Sequence, residues 1–186
     1  MEELEEESSG ELILDVRALP QAYKFDCGPT ALRIVLQYQF GLKMTAKDMI
    51  FLTGATKDYG SNEIQLKNAL SLLGFKWKES DRGTLNSLKN LLQDGQPPIV
   101  HLVMHDGTGH YMVFAGYDEE NVYLADPAKG KVLKYGIAYF FGVWKVEEEE
   151  TNTRWYLAIT GYVGDKITQR INKLKRIQKK VIKSRK

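Results

Sequence analysis

Between residues 26 and 95 the apolar positions recur every three or four residues, and from residue 98 onward they alternate. The first period belongs to amphipathic helices and the second to half-buried strands. Ala31, Leu32, Val35 and Leu36 share one face of a helix that begins near Cys27, with Asp26 as N-cap, Pro29 in the first turn and Gly41 as the stop. Further helices are predicted over 45–54, opened by Thr45, over 61–75, opened at Ser61, and over 84–95, opened by Thr84; each closes on a glycine. Strands are predicted at 75–80, 98–104, 109–118, 121–127, 132–141 and 154–163, separated by turn signals such as DGTG, DEEN and AKGK. Residues 12–20 read as a short strand or extended arm ending at Pro20. Helices first and an antiparallel sheet second define an α+β fold class, an N-terminal helical half packed on a C-terminal antiparallel sheet.

Composition narrows the picture without changing it. The chain has 186 residues, of which 43% are hydrophobic and 27% charged, enough for one domain with a real core. A single cysteine, Cys27, can make no internal disulfide, and the N-terminus MEELEEESSG is acidic where a signal peptide would be basic. A cytoplasmic placement is expected. Three segments follow: an acidic flexible start over 1–11, a folded body over 12–164 and a basic tail over 165–186. The net charge of +2 conceals their asymmetry, because ten Lys and Arg and no acid lie in 166–186, leaving −8 on the remainder.

The candidate chemistry centres on QAYKFDCGPTAL, residues 21–32. A thiol is a nucleophile only as thiolate, and a helix N-terminus favours that charge. Cys27 is predicted to sit at such a terminus. A base and a group that orients it are also needed. His110 opens an alternating strand, and Asp126 closes the next one, so a hairpin brings the two side by side. Gln21, six residues before Cys27, offers an amide to an oxyanion, with the Cys27 N–H as second donor. His101 is read as structural and His105 as a turn residue. No spacing matches a metal site, so neither metal nor cofactor is expected.

Together, Q-x5-C at 21–27, DCGPTAL at 26–32 and GHYMVFAGYDEENVYLADPAKGK at 109–131 resemble the C39 and C39-like peptidases of the papain-like cysteine peptidase superfamily. The resemblance runs from about Gln21 to about Lys134. It implies a peptidase fold carrying Cys27, His110 and Asp126 as a triad, with Gln21 completing the oxyanion hole. It implies hydrolysis of peptide bonds, and its best-known members cut leader peptides after a Gly-Gly pair. A peptide or protein substrate is expected; acyl transfer to an amine, or peptide binding without turnover, are the alternatives.

The tail carries a separate signal. Ile167, Ile171, Leu174, Ile177 and Val181 recur at helical spacing amid Lys and Arg. A helix docked on the acidic body is one expectation; contact with a membrane surface, at the inner face, or with an acidic partner is the other. No nucleic-acid partner is expected. The four glutamates at 147–150 read as a solvated hairpin loop.

Overall fold

The computed structural model describes residues 10–148, 151–163 and 167–184. Its elements are β1 (Leu12–Ile13), α1 (Cys27–Phe40), α2 (Ala46–Thr53), α3 (Glu63–Leu73), β2 (Phe75–Ser80), α4 (Leu85–Gln93), β3 (Ile99–Val103) and β4 (Gly109–Tyr117). They continue with β5 (Asn121–Asp126), β6 (Lys131–Gly136), α5 (Ile137–Val143), β7 (Val146–Glu148), β8 (Thr151–Thr153), β9 (Tyr156–Tyr162) and α6 (Ile167–Ser184). Seven strands form one sheet, ordered β2-β9-β3-β4-β5-β6 with β1 beside β4, and every pairing in it is antiparallel. Helices cover both faces, so this is an α+β architecture of three layers.

Local chemistry explains the helix ends. Thr45, Asn62 and Thr84 each accept the N–H three residues on, and Asp48, Gln65 and Ser87 return the bond. Such reciprocal caps satisfy two orphan donors at once. The third helix therefore starts from Asn62, one residue after the expected Ser61. α1 and α3 end at Gly41 and Gly74, whose φ of 64° and 85° suits glycine alone at little cost.

Two apolar clusters sandwich the sheet. One joins α1, α2 and α3 to Tyr111, Val113 and Ala115 of β4; the other joins α4 and α5 to Met112 and Phe114. Because β4 is buried on both sides, its sequence is a nearly continuous apolar run. A register shift between Phe114 and Gly116 against β5 then sends Tyr117 to the second cluster.

One expected element differs. The pattern predicts a single strand over 132–141, but pairing with β5 ends at Asn121↔Gly136, where β5 itself begins. No ladder remains for the following residues. The Ile137 N–H instead bonds the Glu120 carbonyl at 2.9 Å, and the chain coils into α5. Phe140 and Trp144, one turn apart, are thereby fully buried. Aromatic strand propensity loses to that burial. The glutamates at 147–150 fall partly in β7; residues 149 and 150 lie outside the described residues, as does the acidic start over 1–9.

The tail is a helix laid across α2 and α3. Ile171 is buried in the first cluster with Leu174 packed against it, and Gln178 Nε2 donates to the Lys47 carbonyl at 3.4 Å. Among the described residues no helix is long and apolar enough to cross a membrane. Leu70 of α3 has no solvent exposure at the centre of the first cluster. Leu70→Ala should lower stability by about 2–5 kcal/mol in chemical denaturation, with the spectroscopic signature of the native fold kept.

Candidate active site

Cys27 is the first residue of α1, and the turn before it is held from within. Asp26 is fully buried, and its carboxylate does not cap the helix as expected. It accepts the Tyr23 N–H at 2.8 Å, the Ala22 N–H at 3.2 Å and the Thr30 hydroxyl at 3.3 Å. An aspartate wrapped by its own loop locks residues 22–26 against the helix start. Pro29 gives up no bond there, since first-turn N–H groups lack helical partners.

The next residue must be small. A Cβ on Gly28 would stand 2.4 Å from Ser61 Oγ and 3.1 Å from both Leu66 Cδ2 and Tyr111 Cδ2. α1 can thus press its N-terminus against α3 and β4. Backbone N–H groups of Gly28 and Tyr111 reach the Cys27 sulfur.

His110 Nε2 meets Asp126 Oδ1 at 2.7 Å. The β4–β5 ladder pairs Val113 with Ala125, so the start of β4 and the end of β5 lie side by side. The Asp126 carboxylate also accepts the Ala128 N–H at 2.8 Å, which ties it to the turn after β5. With Nε2 engaged, Nδ1 is the nitrogen left for the Cys27 thiol, to which His110 is hydrogen-bonded.

The electrostatics follow from this contact. Burial opposes the charge on His110, but the bonds to Asp126 and Cys27 outweigh it and raise the imidazolium to about 9. Burial likewise opposes the thiolate, yet His110 and the Tyr111 and Gly28 N–H groups hold Cys27 below its ordinary value. Asp126 is desolvated too, and the His110 bond and charge keep its carboxyl below the usual range. Each shift favours a thiolate beside an imidazolium over the uncharged pair.

Gln21 reaches this corner by its backbone. Its N–H donates to the Pro127 carbonyl at 2.8 Å, joining the loop before α1 to the end of β5. Its side-chain Nε2 donates to the Tyr23 carbonyl at 2.7 Å, which uses one of two amide hydrogens and leaves the other available.

A cleft of about 760 Å³ opens beside Cys27. The loop before α3 forms one wall, its Thr56 and Gly60 exchanging backbone bonds of 2.9 and 2.8 Å. His101, Thr108 and Gly109 form the other. His101 and the 57–64 segment are cleft residues that sequence reasoning missed. His101 stacks on Tyr111 with ring centroids 4.5 Å apart, and its Nδ1 lies 3.3 Å from Glu63 Oε1. The turn-rich stretch KDYGSNE, with Tyr59 91% exposed, was the available signal. His105 is exposed and packs edge-on to Tyr139 instead. Among the described residues no group of His, Cys, Asp or Glu side chains is arranged to hold a metal ion.

A sequence model of the Peptidase C39 family matches residues 15–147. The chain belongs to that family. Its members are cysteine peptidases, and the match covers Cys27, His110 and Asp126 together with most of the sheet. A protein of Methanothermobacter thermautotrophicus described as uncharacterised is 32% identical over 112 residues, 60% of this chain and 72% of that protein. The lactococcin-G-processing and transport ATP-binding protein LagD of Lactococcus lactis is 26% identical over 119 residues. That alignment takes in 59% of this chain and 15% of LagD. Among solved structures, the peptidase domain of Streptococcus ComA superposes with TM-score 0.63 at 21% identity, covering 77% of this chain and 97% of the domain. A double-glycine-motif protease from an AMS/PCAT transporter, solved with a leader peptide, gives 0.57 at 21%, covering 82% and 93%. At these identities the likeness is one of fold.

The C39 architecture here rests locally on Asp26. Asp26→Ala removes a buried acceptor from two loop N–H groups and leaves the buried Thr30 hydroxyl without it, and should lower stability by about 1–3 kcal/mol in chemical denaturation. The same variant should slow iodoacetamide alkylation of Cys27, because the helix start it reports on is no longer held.

Proposed function

We propose that this C39 peptidase cleaves peptide bonds with Cys27 as nucleophile, His110 as acid and base, Asp126 as orienting carboxylate and Gln21 as oxyanion donor. The contact that carries the reading is the Cys27–His110 hydrogen bond backed by the 2.7 Å His110–Asp126 bond. The thiolate attacks the scissile carbonyl carbon, and the oxyanion takes the Cys27 N–H and the free Gln21 amide hydrogen. His110 gives its Nδ1 proton to the leaving amine. It then takes a proton from the water that attacks the acyl-enzyme, and Cys27 leaves as thiolate. Asp126 keeps the ring in one orientation throughout.

The substrate is a peptide with a Gly-Gly pair before the cut. The double-glycine protease and the lactococcin-processing relatives support this choice, as does a cleft walled by backbone-rich turns beside Cys27. A cytoplasmic setting, where the lone thiol stays reduced, accords with this chemistry.

Turnover of a Gly-Gly peptide tests the reading. Cys27→Ala should abolish it, and Gln21→Ala should lower kcat about 10²–10³-fold while iodoacetamide still alkylates Cys27. Retained turnover in Cys27→Ala rules the mechanism out. The pH profile separates two steps. Alkylation needs only the thiolate, so it should be fast well below pH ~8.5 and stay fast in alkali. Hydrolysis also needs the His110 proton, so kcat/KM should fall as pH rises through about 9, where the imidazolium is lost.

A further inference from the structure

α6 packs Ile171 and Leu174 of its apolar face into the body. Ile171, Leu174 and Gln178 point into the body, toward Met44, Asp48, Leu52 and Leu73. Insertion of that face into a lipid interface would require the helix to undock. The outward face remains, and it is cationic. At ~100° per residue, positions 173, 176, 180 and 183 fall within an arc of about 80°, opposite Ile171. Lys173, Arg176, Lys180 and Lys183 are all exposed there. They make a straight ridge about 15 Å long on a convex surface.

Where this ridge lies follows from the topology. α1 and β4 both start beside Cys27, and Glu63 at the start of α3 lies in the cleft wall. α6 packs at the other end of α3, with the Arg170 guanidinium against Gly74. The ridge therefore sits one length of α3, about 16 Å, from the cleft. Apolar side chains surround its base. Leu72, Tyr162, Val163 and Ile177 are 55%, 48%, 54% and 43% exposed, and the Val163 N–H bonds the Gly74 carbonyl at 2.8 Å, placing Val163 at the α3 end.

We propose that this end of the molecule adsorbs to an anionic lipid surface, the α6 ridge meeting lipid phosphates while Tyr162, Val163 and Ile177 settle at the headgroup level. One observation favours a membrane over a nucleic acid. Exposed aliphatic and aromatic side chains beside cations suit a lipid interface, whereas a phosphate backbone has no use for Leu72, Val163 or Ile177. Adsorption in this orientation leaves the cleft open on the far side.

Co-sedimentation of the full chain with phosphatidylcholine vesicles, with and without phosphatidylglycerol, tests this. Binding should appear only with the anionic lipid and weaken as salt rises. Lys173→Glu, Arg176→Glu, Lys180→Glu and Lys183→Glu together should cut partitioning at least ~tenfold. The Lys→Gln and Arg→Gln counterpart should fall between. The alkylation rate of Cys27, unchanged in both variants, reports that the body is folded. Equal partitioning onto neutral vesicles, no partitioning, or undiminished binding of the charge-reversed variant overturns the proposal. So does retention by a duplex oligonucleotide in salt where anionic vesicles do not bind.

Discussion

A charge in a desolvated place survives only beside its partner, and the His110–Asp126 bond of 2.7 Å is that partnership here. Both groups are largely buried, and burial alone would discharge each of them. Paired, they keep an imidazolium within reach of the Cys27 thiol. The thiol in turn relies on that cation and on two backbone N–H groups to ionise despite its own burial. Removing any member leaves the others with an uncompensated cost, so the three behave as a unit.

The fold supplies what this unit cannot supply for itself, a fixed separation between three chain segments. β4 and β5 are antiparallel neighbours, so their backbone ladder sets the His110–Asp126 distance. α1 is pressed onto the sheet by Ala31, Leu32 and Val35, and Gly28 lets its first turn come close to Tyr111. The loop ahead of Cys27 is pinned twice, by the Asp26 carboxylate from inside and by the Gln21–Pro127 bond to the end of β5. In this C39 chain Cys27, His110 and Asp126 come together where the helical layer meets the sheet. The cleft then forms between the loop ahead of α3 and the β3–β4 end.

The opposite end of the molecule obeys a different economy. α6 buries Ile171 against α2 and α3 and turns its cations outward, so apolar packing and surface charge are satisfied by two faces of one helix. The sequence periodicity showed both faces, but the fate of each depended on a surface supplied by residues 44–73, far away along the chain.

Residues read locally were legible. Helix starts at Thr45 and Thr84, stops at Gly41, Gly54 and Gly74, and the strand runs of β4 and β9 rest on neighbours within a few positions. The approach of His110 to Asp126 was legible too, because a hairpin of this length returns the chain beside its start. Three things were not. Residues 137–143 are aromatic and strand-like by propensity, and they coil because β5 has run out of partners at Asn121. Asp26 stands where an N-cap should, and its buried carboxylate serves the preceding loop. His101 reads as a core strand residue, yet Glu63 and Tyr111 draw it into the cleft wall. What the sequence by itself determined was the elements and the chemical repertoire, since both depend on short-range periodicity and residue type. Which side chains meet was decided by tertiary structure, because a contact between Cys27 and His110 depends on how two layers pack across a sequence separation of 83.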